Sequence, residues 1–408
     1  MKTLSLLLAL FISHLIQAQI ITNFTTTDGL ANNNVLCLTA DHSGNMWFGT
    51  QSGVSKFNGT TWSTFNTTTD NAIPNNTIKA IDAMRNEDIW IGTDFGIAVY
   101  NRDSWTAFTT ADGLGSNRIN SITQVSNGDV WIADFNGATR FSGDTFTKFG
   151  TADGLPFGGV TEIKEGKNGE ILMATSLAGL IAYKNTLFTT YNESNGLLSN
   201  STASVEVSPD STIWVGTSKG VSVFDKTLNL MESYTKMYIL PPPDTLNPVK
   251  DIAIDRRGNV WVGIYVDYLV TVGGVAFYDG NAWKNYDESD GIVGPVIRKV
   301  ALDGNDNLWV ATSSGISKIE SPHVSISNVQ NHYFSVYPNP ADDVLHLKLK
   351  RSNNPSNILV QLFNIQKEVQ LSTSMPFGMN QLTISTKHLN SGIYILKIGT
   401  QTRKIIVH

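Results

Sequence analysis

The stretch Trp47-Phe48-Gly49-Thr50-Gln51-Ser52-Gly53-Val54-Ser55-Lys56-Phe57 returns as Trp90-Ile91-Gly92-Thr93-Asp94-Phe95-Gly96-Ile97-Ala98-Val99-Tyr100. Further copies start at Trp131, Leu172, Trp214, Trp261 and Trp309, at steps of 43, 41, 41, 42, 47 and 48 residues. Self-similarity at this period means one supersecondary unit laid down repeatedly, in the range of four-stranded units set around an axis. Each copy carries four short β-branched or aromatic runs, in the first Val35 to Ala40, Met46 to Thr50, Val54 to Phe57 and Trp62 to Phe65. Gly, Asn, Asp or Ser bound them, as strands joined by tight turns require.

Register is fixed throughout. The apolar residue opening the first strand lies twelve positions before the Trp position in every copy, from Val35/Trp47 to Ile297/Trp309. A slip of one residue would turn the Trp to the wrong face, so these side chains are expected to pack between neighbouring sheets. Gly53, Gly96, Gly137, Gly179, Gly220, Gly274 and Gly315 open the third strand, where positive φ or close backbone approach is expected. The fourth strand has aromatic-x-x-aromatic spacing, as in Trp62/Phe65 and Trp105/Phe108, but the seventh copy ends at Ile319 without one. Ile21 to Phe24 has the same spacing at the other end of the chain, and Asp28-Gly29-Leu30 after it recurs at Asp112, Asp153 and Asp290. The expected fold is all-β: a seven-bladed β-propeller over 19–320, closed by the N-terminal strand so that no sheet edge stays open.

The W-x-G-T-x-x-G-[VI] copies with their D-G-L loops resemble the two-component-regulator propeller repeats of Bacteroidetes hybrid sensors. The resemblance implies an exported domain and, as a ligand class, carbohydrate fragments. No membrane helix, kinase or DNA-binding segment accompanies it in this sequence.

The ends read as addresses. Lys2, the apolar run Leu4 to Ile16 and Ile16-Gln17-Ala18 form a signal peptide over 1–18, too short to span a bilayer. After a polar linker, 321–332, strand-like runs over 333–408 suggest a small β-sandwich. Tyr337-Pro338-Asn339-Pro340, Gly392, Tyr394 and the terminal run from Lys404 resemble the C-terminal sorting domain of the type IX (Por) secretion system. The resemblance implies recognition by that machinery, passage across the outer membrane, and a secreted or surface location.

Chemistry is sparse. A net charge of −6 offers no basic surface for nucleic acid, and the only cysteine, Cys37, sits in a strand where a buried role is expected. Between 19 and 319 the one histidine is His42, in a first-to-second-strand hairpin. The chemistry of virginiamycin B lyase-like propellers, which use a histidine with a metal, therefore has no matching residue. No metal or cofactor set appears: Asp303-Gly304-Asn305-Asp306-Asn307 lacks the Gly and Glu of a calcium loop. Asp28, Asp112, Asp153 and Asp290 are weighed as carboxylates for polysaccharide hydrolysis or lysis. The first expectation is instead non-catalytic binding of a glycan or protein. Two insertions in the sixth copy, Thr235 to Pro248 and Ile264 to Gly273, place Tyr238, Tyr265, Asp267 and Tyr268 as the leading site. Phe95, Phe135, Phe157 and Arg118 are expected on the same face.

Overall fold

The computed structural model describes residues 20–238, 246–266, 272–320, 334–337, 341, 343–349, 358–364, 368–376, 379, 381–398 and 401–407. The chain divides into two compact units, 1–322 and 323–408.

The first unit holds seven four-stranded antiparallel sheets. Six are meanders in chain order: Val35–Phe65 (blade 1), Ala80–Phe108, Ile119–Phe149, Val160–Tyr191, Thr202–Tyr234 and Val249–Tyr286 (blade 6). Blade 7 takes Ile297–Leu302, Leu308–Thr312 and Ile316–Ile319 from one end of the unit and Ile21–Phe24 from the other. Ile21 pairs with Ile319 and Phe24 with Ile316, so the N-terminal strand closes the ring. First strands of consecutive blades pack side by side, and that of blade 7 returns to blade 1. They line the axis.

The Trp repeat is the cement. Trp47, Trp90, Trp131, Trp214, Trp261 and Trp309 are all buried, and each meets the last aromatic of its own blade, stacked in five blades and tilted by 36° at Trp261–Tyr286, at ring-centroid distances from 5.2 Å (Trp131–Phe149) to 6.4 Å (Trp90–Phe108). Phe24 fills this place for blade 7, 5.6 Å from Trp309, which shows what the displaced strand supplies. Each Trp also meets the following blade: Trp47 shares a core with Ile78, Ile91 and Trp105.

The Gly of W-x-G-T works by proximity. A Cβ at Gly49 would overlap Ile78, just before the first strand of blade 2, and one at Gly92 would overlap Ile119 in the first strand of blade 3, so the small residue sets the distance between blades. The Gly opening the third strand is left-handed in six blades, for example φ 116° at Gly53 and 141° at Gly315. Blade 6 departs from the expectation. Its second hairpin is longer, Val260–Val266 against Val272–Tyr278, so Gly274 lies inside a strand and is required by the Tyr238 ring beside it.

The second unit is a sandwich of Phe334–Tyr337, Val344–Leu349 and Gln381–Ser385 against Val369–Met375, Ile358–Phe363, Gly392–Ile398 and Gln401–Val407. Leu345, Leu347 and Ile384 of one sheet share a core with Val360, Leu362, Leu396 and Ile405 of the other. The strand Val369–Met375 was not anticipated from the sequence, since its apolar residues are few and it is mostly exposed. Tyr394 is buried and its hydroxyl donates to the Asn390 carbonyl at 2.7 Å, while Tyr337 is exposed beside His346. Gly392 opens a strand and Lys404 lies within the last; Pro338, Asn339 and Pro340 fall outside the described residues.

Candidate functional site

Three places in the propeller gather chemistry: the face carrying the inter-blade loops, the axis, and the outer cleft between blades 4 and 5.

On the loop face, each second-to-third-strand turn is hydrogen bonded to the loop entering its blade or the next. Gly53 N donates to Asn76 O, Gly96 N to Asn117 O and Phe135 N to Arg118 O. This brings four exposed apolar side chains to one side of blades 2 to 4: Phe95, Phe135, Phe157 and Leu177, the last three 55%, 81% and 62% exposed. The Arg118 guanidinium carbon stands 4.1 Å from the centroid of Phe135, and its Nε lies 3.8 Å from Asp94, which also takes Lys79 at 2.6 Å. Gly158 and Gly159 run close to Leu177 and the Phe135 carbonyl, which brings the blade 4 loops beside the blade 3 turn. Lone exposed apolar residues are ordinary, but four on neighbouring loops with an arginine form a patch.

Of the leading sequence candidates of blade 6, the structure takes Tyr238 away from the surface. Tyr238 is 6% exposed; its hydroxyl donates to the Gly273 carbonyl at 3.2 Å and lies 3.3 Å from Asp287, while Asn247 Oδ1 accepts from its backbone N at 2.7 Å. Burial, then the Asp287 charge, hold the phenol well above its usual range. It anchors a loop and cannot meet a ligand. Tyr265 is half-buried against the core between blades 6 and 7, with Lys250 Nζ 5.4 Å from its ring. Asp267 and Tyr268 lie outside the described residues.

The loop aspartates are likewise committed locally. Asp28 accepts from Thr25 N, Asp112 from Thr109 N, Asp153 from Gly150 N and Asp290 from Asp287 N, at 2.8 to 3.0 Å. Each carboxylate closes its own turn, and the Leu or Ile after the Gly is buried: Leu30, Leu114, Leu155 and Ile292. Asp303 is used the same way, taking Asn305 N, Asn307 N and Trp309 Nε1, the last at 3.0 Å.

The axis holds what the sequence reading missed. A cavity of about 450 Å³ is lined by first-strand residues of all seven blades, among them Asp82, Glu162, Lys164, Glu206, Asp251 and Lys299. Lys299 of blade 7 bonds Asp251 of blade 6 at 3.0 Å and reaches Glu162 of blade 4 at 2.7 Å. The second oxygens of the two acids take the backbone N of Val205 and Val300 in the blades that follow them, both at 2.9 Å. The triad therefore stitches adjacent blades and ties blade 4 to blade 7. Burial pushes Asp251 up to about 6, with Lys299 opposing and Glu162 adding. Glu162 moves down because burial is outweighed by two ammonium groups, Lys299 and Lys164. Lys299 itself is held above its usual range: burial would lower it, and both carboxylates outweigh burial. Desolvation pushes the half-buried Asp82 up to about 6, opposed first by the Lys164 charge and then by hydrogen bonds from the Ala83 backbone and Thr39. Charged residues at alternate positions of otherwise apolar first strands were the available signal.

The third place exists because blade 4 breaks the repeat. Where blade 1 has Asp41, Asn45 and Trp47, blade 4 has Gly166, Glu170 and Leu172. In blade 1 the Asp takes both Asn45 and the indole N–H, at 2.7 and 2.8 Å. In blade 5 the indole of Trp214 donates to Thr212, the residue matching Glu170, at 3.1 Å. Glu170 has no such donor. It is 4% exposed, and neither carboxylate oxygen has a hydrogen-bond partner among the described residues. Lys184 Nζ stands 3.9 Å away and donates to Asn168 O instead. Glu170 lines a cavity of about 320 Å³ with Asn168, Ala182, Lys184, Tyr191 and Leu228. In blade 5 the first aromatic of the fourth strand is missing too: the sequence has Met231 at that spacing, and a bulge brings Leu230 opposite Phe224.

A family model described as Two component regulator propeller matches residues 29–52 and 113–136, and one described as Secretion system C-terminal sorting domain matches 335–408. No curated protein matches the chain. Among solved structures, the extracellular domain of the hybrid two component system BT3049 from B. thetaiotaomicron is similar at TM-score 0.64 and 17% identity, over 96% of this chain and 57% of that one. Virginiamycin B lyase from Staphylococcus aureus is similar at TM-score 0.57 and 14% identity, over 74% and 98% of the two chains. YCF48 bound to D1 peptide is similar at TM-score 0.55 and 13% identity, over 74% and 97%. The chain thus spans little more than half of the first of these, and at such identities the likeness shows the β-propeller fold alone. The sorting tail marks the chain for type IX secretion, to the cell surface or beyond, and among the described residues no helix is long and apolar enough to cross a membrane.

Proposed function

We propose that the propeller is a non-catalytic recognition module, delivered to the cell surface or released, which binds a protein ligand on the loop face of blades 2 to 4. The observation that carries this reading is the set Phe95, Phe135, Phe157 and Leu177, apolar and exposed on neighbouring loops, with the Arg118 guanidinium stacked on Phe135. Aromatic and arginine side chains of this kind dominate binding energy at protein interfaces when a partner excludes water from them. Phenylalanine and leucine carry no polar group for sugar hydroxyls, which favours a polypeptide over a glycan here. A propeller of similar fold is known bound to a peptide, which makes such a ligand reasonable without specifying it. The hydrolase or lyase reading loses its residues, since each loop aspartate is held in its own turn.

The test is photo-crosslinking in the producing cell, with p-benzoylphenylalanine at Phe135 or Phe157, and at Ser43 in a first-to-second-strand hairpin as control. A discrete protein adduct at the first two positions, absent at Ser43 and weakened at least tenfold by Arg118→Ala, is expected. Equal adducts at all three positions, or none at Phe135 and Phe157, would sink the assignment.

A further inference from the structure

The axis brings a nucleophile, an acid and a base together in one buried place. Lys299 Nζ stands 2.7 Å from Glu162 Oε1 and 3.0 Å from Asp251 Oδ1; both carboxylates are buried and the lysine is three-quarters covered. In the other ion pairs among the described residues each lysine or arginine meets a single acid, as Lys164 meets Glu206 at 2.9 Å. Three charges withdrawn from water give up hydration that their pairing restores only in part. Condensing two of them into a neutral amide removes that penalty.

The two acids are not equivalent, and their difference assigns the roles. Asp251 lies on the first strand of blade 6, which packs directly against the first strand of blade 7 that carries Lys299. Its second oxygen, Oδ2, accepts from Val300 N at 2.9 Å, a donor placed where negative charge develops when a carboxyl carbon is attacked. Burial pushes Asp251 up to about 6, so it is the acid that takes a proton and becomes an electrophile. In Glu162 burial is outweighed by Lys299 and then Lys164, so it stays an anion able to draw a proton from nitrogen. Lys299 is held above its usual range because the two acids outweigh burial, which directs its proton to them and not to water.

We propose that the propeller is locked by an isopeptide bond between Lys299 Nζ and Asp251 Cγ, formed by the chain itself with Glu162 as proton carrier. A proton passes from the ammonium to Oδ1, leaving an amine and a carboxylic acid. The nitrogen lone pair forms the N–Cγ bond, and the carbonyl electron pair moves onto Oδ2 against Val300 N. Glu162 takes a second proton from the nitrogen and gives it to Oδ1. The Cγ–Oδ1 bond breaks as the carbonyl re-forms, and water leaves into the axial cavity of about 450 Å³. One ammonium and one carboxylate become one amide and one water, with no oxidant or co-reactant. Groups held in this way react at effective concentrations of about 10⁵–10⁸ M, which drives a condensation that free partners in water do not complete. The amide N–H still donates to Glu162, so the tie across the ring to blade 4 persists. Until the bond forms the triad titrates as an ion pair; afterwards Asp251 exchanges no proton and the pH response of the axis falls to Asp82. The lock is independent of the loop-face reading.

The test is mass spectrometry of the full chain, purified folded, then denatured and digested with trypsin. The expected product joins 251–256 to 299–318, with Lys299 uncut and the pair lighter by one water than the sum of its parts. Lys299→Arg keeps a cation between the acids and should give no joined product. In Glu162→Gln, which keeps the shape and removes the base, the joined fraction after a fixed time should fall at least tenfold. Three results would each overturn the proposal: separate peptides only in the unaltered chain, Lys299 joined instead to 149–164, which carries Glu162, or joining as fast in Glu162→Gln as without it. The first is read on the unaltered chain and decides whatever the substitutions do to folding.

Discussion

The blade 7–1 and blade 4–5 interfaces sit on opposite sides of one ring and are built from the same repeat, yet they are held by different means. Between blades 7 and 1, Trp309 stacks on Phe24 and contacts Phe57, and its indole N–H ends on Asp303. Between blades 4 and 5 the corresponding residues are Leu172, Tyr191 and Phe224, and no indole reaches the hairpin. Blade 4 is instead fastened from the axis, where Glu162 holds Lys299 across the ring. The lesson is that a repeat fold tolerates the loss of its signature residue at one position when closure constrains both neighbours. An open array, where each unit leans only on those beside it, lacks that second constraint.

The largest expected effect tests whether closure depends on the aromatic seam. Trp309→Ala should cost about 3–5 kcal/mol, by cavity formation and by leaving Asp303 without its indole donor. Leu172→Ala should cost less, roughly 2–3 kcal/mol, because it removes fewer packed atoms and no hydrogen bond. Urea unfolding of both variants measures the difference. Equal losses would mean that the two interfaces are not distinct in the sense described.

Next in size is the pH response of the axis. Asp82 and Asp251 are pushed up to about 6, above an unfolded value near 4. Between those values the folded chain binds more protons than the unfolded one, so these groups favour folding as pH falls through 6 and oppose it above. Asp41 and Asp303 act in the other direction: their indole and amide hydrogen bonds outweigh burial and hold them below the usual range, so their contribution is lost only below pH 4. Stability should therefore peak near pH 4. Asp82→Asn should raise stability at pH 7 by about 2 kcal/mol and flatten the slope between pH 4 and 6. A melting temperature that rises steadily from pH 4 to 6 would contradict this, and would mean that Lys299 and Lys164 compensate the acids fully.

The fold was legible because its information is repeated. Twelve residues from first-strand apolar to Trp, seven times, leave one register, and Phe24 with its D-G-L loop could only be the missing strand of blade 7. The site was poorly legible for the opposite reason: a site is where copies differ, and differences carry no internal control. Tyr238 looked like an exposed loop aromatic, yet the lengthened hairpin of blade 6 packs Gly274 against its ring, takes its hydroxyl on the Gly273 carbonyl and buries it. Phe95, Phe135, Phe157 and Arg118 fell on the expected face because they sit in turns whose direction the repeat dictates. Leu172 was visible as an exception to the Trp rule. That Gly166 and Glu170 changed with it became meaningful only once the hydrogen bonds of Asp41 and Trp214 showed what those positions do.

The smallest effect discriminates most finely, because it asks whether blade 4 can be returned to the pattern of its neighbours. Leu172→Trp adds an indole that can stack on Tyr191 and donate to Glu170, as Trp214 stacks on Tyr234 and donates to Thr212. Aromatic pairing contributes roughly 0.5–1.5 kcal/mol and a satisfied carboxylate about as much again. Displacement of Leu172 from its packed place beside Val205 and Phe224 costs some of that. A net gain of about 1 kcal/mol in urea unfolding is expected, and it should disappear in Leu172→Trp combined with Glu170→Ala. If the single variant is destabilised and the double variant recovers, the indole and the carboxylate are competing for one space. The blade 4–5 interface would then be a differently packed joint and not the common joint with its donor missing.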